Sequence, residues 1–203
     1  MTSTSRWVPS LHEDLESPEA IKRYAKRYSA FDLEKDSWIE SVISEARNRT
    51  PRHLTRFDLA CLGRWKMSHQ NKDKIKSNRN GRVERWSASS FSANTDEERM
   101  AHIRELEGVG LAVASAFLHF AFPRDHYPII DFRAVRSLGK ETGNYGDSDW
   151  PAFLKECRCL RKRFKVDMRT LDRALWQFDL ERDFCRQIAE DAKELSRGDR
   201  NSF

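Results

Sequence analysis

Leu106-Glu107-Gly108-Val109-Gly110-Leu111-Ala112-Val113-Ala114-Ser115-Ala116-Phe117-Leu118, followed later by Tyr127-Pro128-Ile129-Ile130-Asp131-Phe132-Arg133-Ala134-Val135, decides how the chain folds. The stretch reads as helix, tight hairpin, helix, extended crossing, and then an acid at the start of another helix. Two glycines around one valine let the backbone turn sharply and leave its N–H groups uncovered. Those amides fall at the N-terminus of the helix beginning near Leu111, where the dipole favours an anion such as phosphate. Taken alone, Gly-x-Gly also suits any short turn between two helices.

Outward from this stretch nearly every segment has helical character. Ser17-Pro18-Glu19 is a helix start, and Ile21, Tyr24, Ala25 and Tyr28 then share a face. A second helix is expected from about Ser37, with Ile39, Val42, Ile43 and Ala46 inward. Thr55 to Asp58 forms a capping box, Leu54 can staple against Leu59, and that helix runs into Trp65 and Lys66. Residues 67–93 are rich in Lys, Asn, Ser and Arg with little periodicity. They are expected to form a long basic loop broken by a short helical piece at Val83 to Trp86. Thr95, with Glu98 three residues on, caps the helix that leads into the hairpin. Gly139 stops the helix after Asp131, and Asp149-Trp150-Pro151 opens another bearing Trp150, Phe153, Leu154, Cys157, Leu160 and Phe164. The last strong helix is capped by Asp167 and places Met168, Leu171, Leu175 and Phe178 inward, while residues 189–203 are expected to fray. No segment alternates as a strand, so the fold class is all-α in a single domain, 1–203.

The chain of 203 residues is 34% charged and 38% hydrophobic, with six Trp and twelve Phe, a globular composition. Its formal charge is +5 and its pI near 9.1. Between Arg64 and Arg85 eight Lys or Arg face only Asp73 and Glu84, a net of +6, so the positive excess is one patch. A localised patch points to a polyanionic partner. The N-terminus lacks an apolar signal core, and Leu111 to Phe122 is too short to span a bilayer, so a cytoplasmic protein without a membrane partner is expected. Cys61, Cys157, Cys159 and Cys185 fit neither a zinc pattern nor a four-cysteine cluster loop, and the six His show no ligand spacing. No metal is expected.

Gly-Val-Gly, the small and apolar Ala114, Ala116 and Leu118 behind it, and an Asp after Pro-x-x together resemble the helix-hairpin-helix DNA glycosylase superfamily. The resemblance covers Thr95 to Gly139, about a quarter of the chain. It implies a two-lobed helical bundle with a cleft between the lobes, a hairpin that grips DNA backbone, and base excision served by Asp131. It implies no cofactor beyond a monovalent cation that such a hairpin can hold. Two positions depart from the family pattern. Glu107 stands where a Pro usually precedes the first glycine, and Ala112 stands where members that cleave the strand carry a nucleophilic Lys.

Loss of a base develops oxocarbenium character on the sugar, which a neighbouring carboxylate can stabilise while orienting water. Asp131 is therefore the candidate catalytic group, although an Asp in this setting also serves as a plain N-cap. One oxygen can cap while the other stays free. The candidate DNA contacts are Gly108, Val109 and Gly110 of the hairpin, then Arg64, Lys66, Lys72, Lys74, Lys76, Arg79, Arg82 and Arg133. Trp65, Trp86, His126 and Tyr127 are candidates for lining a base pocket. Arg169 to Trp176 is unusually polar for a helix that buries Leu171 and Leu175, and Asp172 and Arg173 read as an internal brace. The expected activity is that of a monomeric, monofunctional glycosylase, which flips a damaged or modified base from duplex DNA and leaves an intact strand with an abasic site. Nothing in the sequence aims Lys66 at the sugar. A non-catalytic helix-hairpin-helix DNA-binding protein is the alternative, and a helical scaffold for a protein partner is a third.

Overall fold

The computed structural model describes residues 7–28, 30–67 and 72–198, and these are helical, with no strand among them. Ten α-helices follow in order: α1 Pro18–Lys26, α2 Ala30–Asn48, α3 Arg56–Lys66, α4 Lys72–Ser77, α5 Asn80–Ser92, α6 Asp96–Arg104, α7 Leu111–Ala121, α8 Phe132–Ser137, α9 Trp150–Phe164 and α10 Met168–Gly198. The caps stand where the sequence puts them. Ser17 accepts from Ala20 N–H, and Thr55 and Thr95 each close a capping box with Asp58 and Glu98.

Helix α7 is the centre. Nine of its eleven residues are buried, as a helix apolar on every side requires. It packs against α2, α3 and α6, with α4 on α3 and α5 on α6. Phe117 stands edge-on to Phe91 at 5.3 Å and to Phe122 at 6.2 Å, and Phe91 and Phe122 meet tilted at 5.6 Å. A second set of helices gathers on α10, where α1, α8 and α9 pack. There Tyr24 stands edge-on to Phe178 at 5.2 Å, and Ser137 Oγ donates to Leu175 O at 2.6 Å.

Three expectations are corrected. Residues 72–77 of the expected loop are helical around the buried Ile75, and residues 68–71 of it lie outside the described residues. The short helical piece expected at Val83 to Trp86 extends over 80–92, where Val83, Ser87, Ser90 and Phe91 form a buried face. The serines hid its period, since their hydroxyls are satisfied internally: Ser87 Oγ donates to Val83 O and accepts from Leu54 N–H, and Ser90 Oγ donates to Arg99 O. Helix α2 begins at Ala30, with Ser37 inside it, donating back to Leu33 O. The charged end of α10 is helical through Gly198, and the pair of Arg186 with Glu190 at 4.0 Å reaches into it. Residues 199–203 of the expected frayed segment lie outside the described residues.

Among the described residues no helix is long and apolar enough to cross a membrane, and no group of His, Cys, Asp and Glu could hold a metal ion.

Candidate nucleic-acid interface and catalytic pair

The hairpin is built from both sides. Gly108 adopts φ +77°, and a Cβ there would stand 2.9 Å from Ile75 N and 3.0 Å from Lys74 Cβ, so α4 lies directly on the turn. Asn78, 2% exposed, clasps Glu107 by both backbone groups: Nδ2 donates to its carbonyl and Oδ1 accepts from its N–H, each at 2.9 Å. Arg82 donates to Glu105 O at 2.5 Å. The basic segment is thus the brace of the hairpin. Gly110 caps α7 without a side-chain hydrogen bond, and nothing lies within 4 Å of a Cβ placed on it. The first-turn amides of α7 have no helical partner by geometry. Gly110, just ahead of them, lines a cavity of about 440 Å³ together with Lys74, Arg82, Arg104, Glu105, Glu107 and the hairpin, and Arg82 stands 3.9 Å from the Glu107 carboxylate. Arg104 is paired with Asp147 at 3.0 Å.

The extended crossing that delivers Asp131 is tied to the same helix. Ser115 Oγ accepts from Ile130 N–H at 3.1 Å, and His119 Nδ1 is 2.6 Å from Tyr127 O. These residues are four apart and face the same way. Burial and the charges of Arg169 and Arg173 push the His119 pKa down to about 3, so the ring is neutral and its Nδ1–H donates to Tyr127 O. Polar side chains in an otherwise apolar helix were the visible signal of this tie.

Asp131 caps α8: its Oδ1 accepts from Ala134 N–H at 2.8 Å. Its second oxygen is not free. Lys66 Nζ, at the end of α3, donates to Oδ2 at 3.1 Å, with the lysine side chain 9% exposed and the aspartate 18%. Lys66 is therefore turned into the interior and is not a member of the basic surface.

Around this pair lies a buried charge network joining α2, α3 and α10. Asp36, 2% exposed, accepts from Trp65 Nε1, Arg169 and Arg173. Arg169 also donates to Asp172. Burial raises the Asp172 pKa to about 6 despite Arg169, with the charge of Asp131 pushing the same way and that of Lys66 opposing. Tyr145 feels Asp131 as well, its hydroxyl pushed to about 12 by burial and that charge. The polar stretch Arg169 to Trp176 is thereby accounted for: it is the α10 side of the Asp131 environment. Trp176 meets Tyr28 edge-on at 5.4 Å and lies under Arg133.

The remaining expected contacts scatter. Arg64, Lys74, Lys76, Arg79 and Arg82 are exposed, and Lys72 opens α4 with its side chain outside the described residues. Arg133 turns inward to the fully buried Asp179 at 3.1 Å, which occupies its guanidinium. The four aromatic pocket candidates do not converge. Trp65 packs on Phe120, and Trp86 stacks on His102 at 5.8 Å. Tyr127 is 1% exposed, its hydroxyl bonded to Asp96 and Arg99. His126 (φ +57°) and Tyr127 border a charged cavity of about 240 Å³ with His119, Arg161, Arg169 and Asp167, which neither Asp131 nor Lys66 lines.

In comparisons with known proteins, no family model, no curated protein and no solved structure matches this chain.

Proposed function

We propose that the protein is a DNA glycosylase of the helix-hairpin-helix kind, which binds duplex DNA through the hairpin and its basic brace and releases a damaged or modified base beside Asp131. One observation carries this reading: α7 joins both functions. Gly110 at its N-terminus lines the cavity that Lys74, Arg82 and Arg104 border, and its Ser115 and His119 hold the crossing that ends at Asp131. Backbone grip and sugar chemistry are then fixed relative to each other by one rigid, buried helix. The two sets of helices meet along the polar seam of Lys66, Asp131, Asp36 and Arg169, and in this reading they are the lobes of a cleft. The carboxylate of Asp131 stabilises positive charge developing on the flipped sugar and directs water to its anomeric carbon.

The test is a panel of duplexes carrying different lesions and hypermodified bases, with released bases identified by mass. Asp131→Asn should abolish release while keeping DNA affinity, because Asn still caps α8. A variant that stays active removes Asp131 from the chemistry. Binding should weaken steeply with salt as the cations displace condensed counterions. The bond from Ala134 N–H to Asp131 favours a second reading, a DNA-binding module in which Asp131 only caps. Salt-sensitive binding with no base released from any duplex selects that reading.

A further inference from the structure

Interior arginines of this protein pair with carboxylates. Arg169 and Arg173 hold Asp36, Arg133 and Arg136 hold Asp179, and Arg49 holds Asp58. Two half-buried arginines break the pattern. Arg47, in the last turn of α2, and Arg161, in the last turn of α9, make no hydrogen bond or ion pair among the described residues. Both line the cavity of about 240 Å³ beside His126. Among the described residues five buried side-chain nitrogens lack a hydrogen-bond partner, and two of them, Nε of Arg161 and Nε of Arg169, belong to this wall. The two terminal nitrogens of Arg169 already donate to Asp172 and Asp36. A buried N–H without an acceptor is costly, so two of them at one cavity call for an acceptor inside it. Of the three carboxylates in the wall, Asp36 accepts from Trp65, Arg169 and Arg173, and Asp167 caps α10 through Thr170. Glu40 stands exposed on α2, two turns before Arg47. The cavity is also remote from the hairpin. Pro123 and His126 follow the C-terminal end of α7 and Gly110 precedes its N-terminus, so the length of an eleven-residue helix, about 16 Å, lies between them.

We infer that this cavity is a binding site for a phosphate monoester, its head held by Arg47, Arg161 and Nε of Arg169. Donors arriving from three separate helices suit a tetrahedral group with three acceptor oxygens, whereas a planar carboxylate is satisfied by a single arginine fork. The space exceeds what a bare phosphate fills. Phe120, Pro123 and Met168 give it an apolar wall for the carbon skeleton of the alcohol, and Glu40 is left to accept from a hydroxyl at the mouth. The same head group is carried by small free phosphate esters and by the phosphorylated end of a nucleic-acid strand. The site stands whether or not Asp131 serves base excision, because neither Asp131 nor the hairpin contributes to it.

Calorimetric titration of the full chain with glycerol phosphate, inorganic phosphate and acetate tests it. Glycerol phosphate should bind saturably, inorganic phosphate more weakly, and acetate not at all. Arg47→Gln and Arg161→Gln should each lower the affinity for glycerol phosphate roughly tenfold or more, the loss of a charge-assisted hydrogen bond, and leave duplex binding at the hairpin unchanged. Lys74→Glu with Lys76→Glu should do the reverse, so failure of the cavity and failure of the proposed function are told apart. On the wild-type protein glycerol phosphate should shield Arg47 and Arg161 from phenylglyoxal, read by peptide mass, which decides the matter even if a variant fails to fold. No saturable binding, acetate bound as well as glycerol phosphate, or affinity and shielding indifferent to Arg47 and Arg161 overturns the inference. Competition by a duplex with 5′-phosphorylated ends, but not by the same duplex with 5′-hydroxyl ends, assigns the ester to a strand end. Competition by neither assigns it to a small free molecule, and competition by both means that the site reads diesters and overturns the inference.

Discussion

Gly108 and Gly110 flank the same valine, and their backbones do different work. Gly108 holds a left-handed φ of +77° against the backbone of α4, whereas Gly110 is extended and faces open space. Gly108→Ala should therefore cost at least about 1–2 kcal/mol, the penalty of the left-handed region, with displacement of α4 added. Gly110→Ala should stay within about 1 kcal/mol of wild type, as an exchange at an N-cap does. In the proposed interface both lose DNA affinity, but only the Gly110 variant loses it at unchanged stability. Denaturant titration beside fluorescence anisotropy on duplex DNA separates the two, and equal stability losses would contradict the assignment. At this scale the sequence was legible where geometry demands one residue type: the hairpin glycines, Asp131 as cap, the Thr55 and Thr95 boxes. Lys66 read as a surface DNA contact, and its pairing with Asp131 was hidden, because 65 residues separate the two and no local pattern spans that distance.

Among the elements, α4 and α5 were the least legible. Their lysines, asparagines and serines suit loops by propensity, and what makes them helical is tertiary. Ile75 and Val83 are buried, and Asn78 spends its amide on the hairpin. Asn78→Ala should cost about 1 kcal/mol, since it removes the partner of the part-buried N–H and carbonyl of Glu107, and it should weaken DNA binding by loosening the turn. Lys74→Glu with Lys76→Glu changes only exposed side chains, so it should leave the thermal midpoint nearly unchanged while lowering affinity and flattening its salt dependence. Unchanged affinity in the charge-reversed protein would remove this face from the interface. The end of α10 teaches the same lesson from the other side: a highly charged sequence stays helical, with Arg186 reaching Glu190 one turn on.

For the molecule as a whole, the all-helical class followed from periodicity and caps, while the way the two sets of helices meet did not. Their seam is polar, and buried polar contacts leave no periodic trace. Its most informative member is Asp172. Burial raises this carboxyl to about 6 in the folded state, against an ordinary value near 3.8 once unfolded. The folded protein therefore binds the proton more tightly than the unfolded chain does. The resulting stabilisation is complete below about pH 4 and is lost as pH rises through about 6, a contribution on the order of 3 kcal/mol. His119 works in the opposite sense: held near 3, against 6.5 when exposed, it favours the fold above about pH 6.5 and gives that up on acidification. Because the two oppose each other between pH 4 and 6, the wild-type stability curve there should be flatter than either group alone would make it. Asp172→Asn removes one side of this balance and should make stability fall more steeply as pH drops from 6.5 to 4. Relative to wild type the variant should gain up to about 3 kcal/mol between pH 4 and 6.5, with a constant offset outside that window for the altered Arg169 contact. Urea unfolding of both proteins at half-unit pH steps measures this difference directly. A difference that does not vary with pH would mean that Asp172 keeps an ordinary carboxylate pKa and that the seam holds it as a plain ion pair of Arg169.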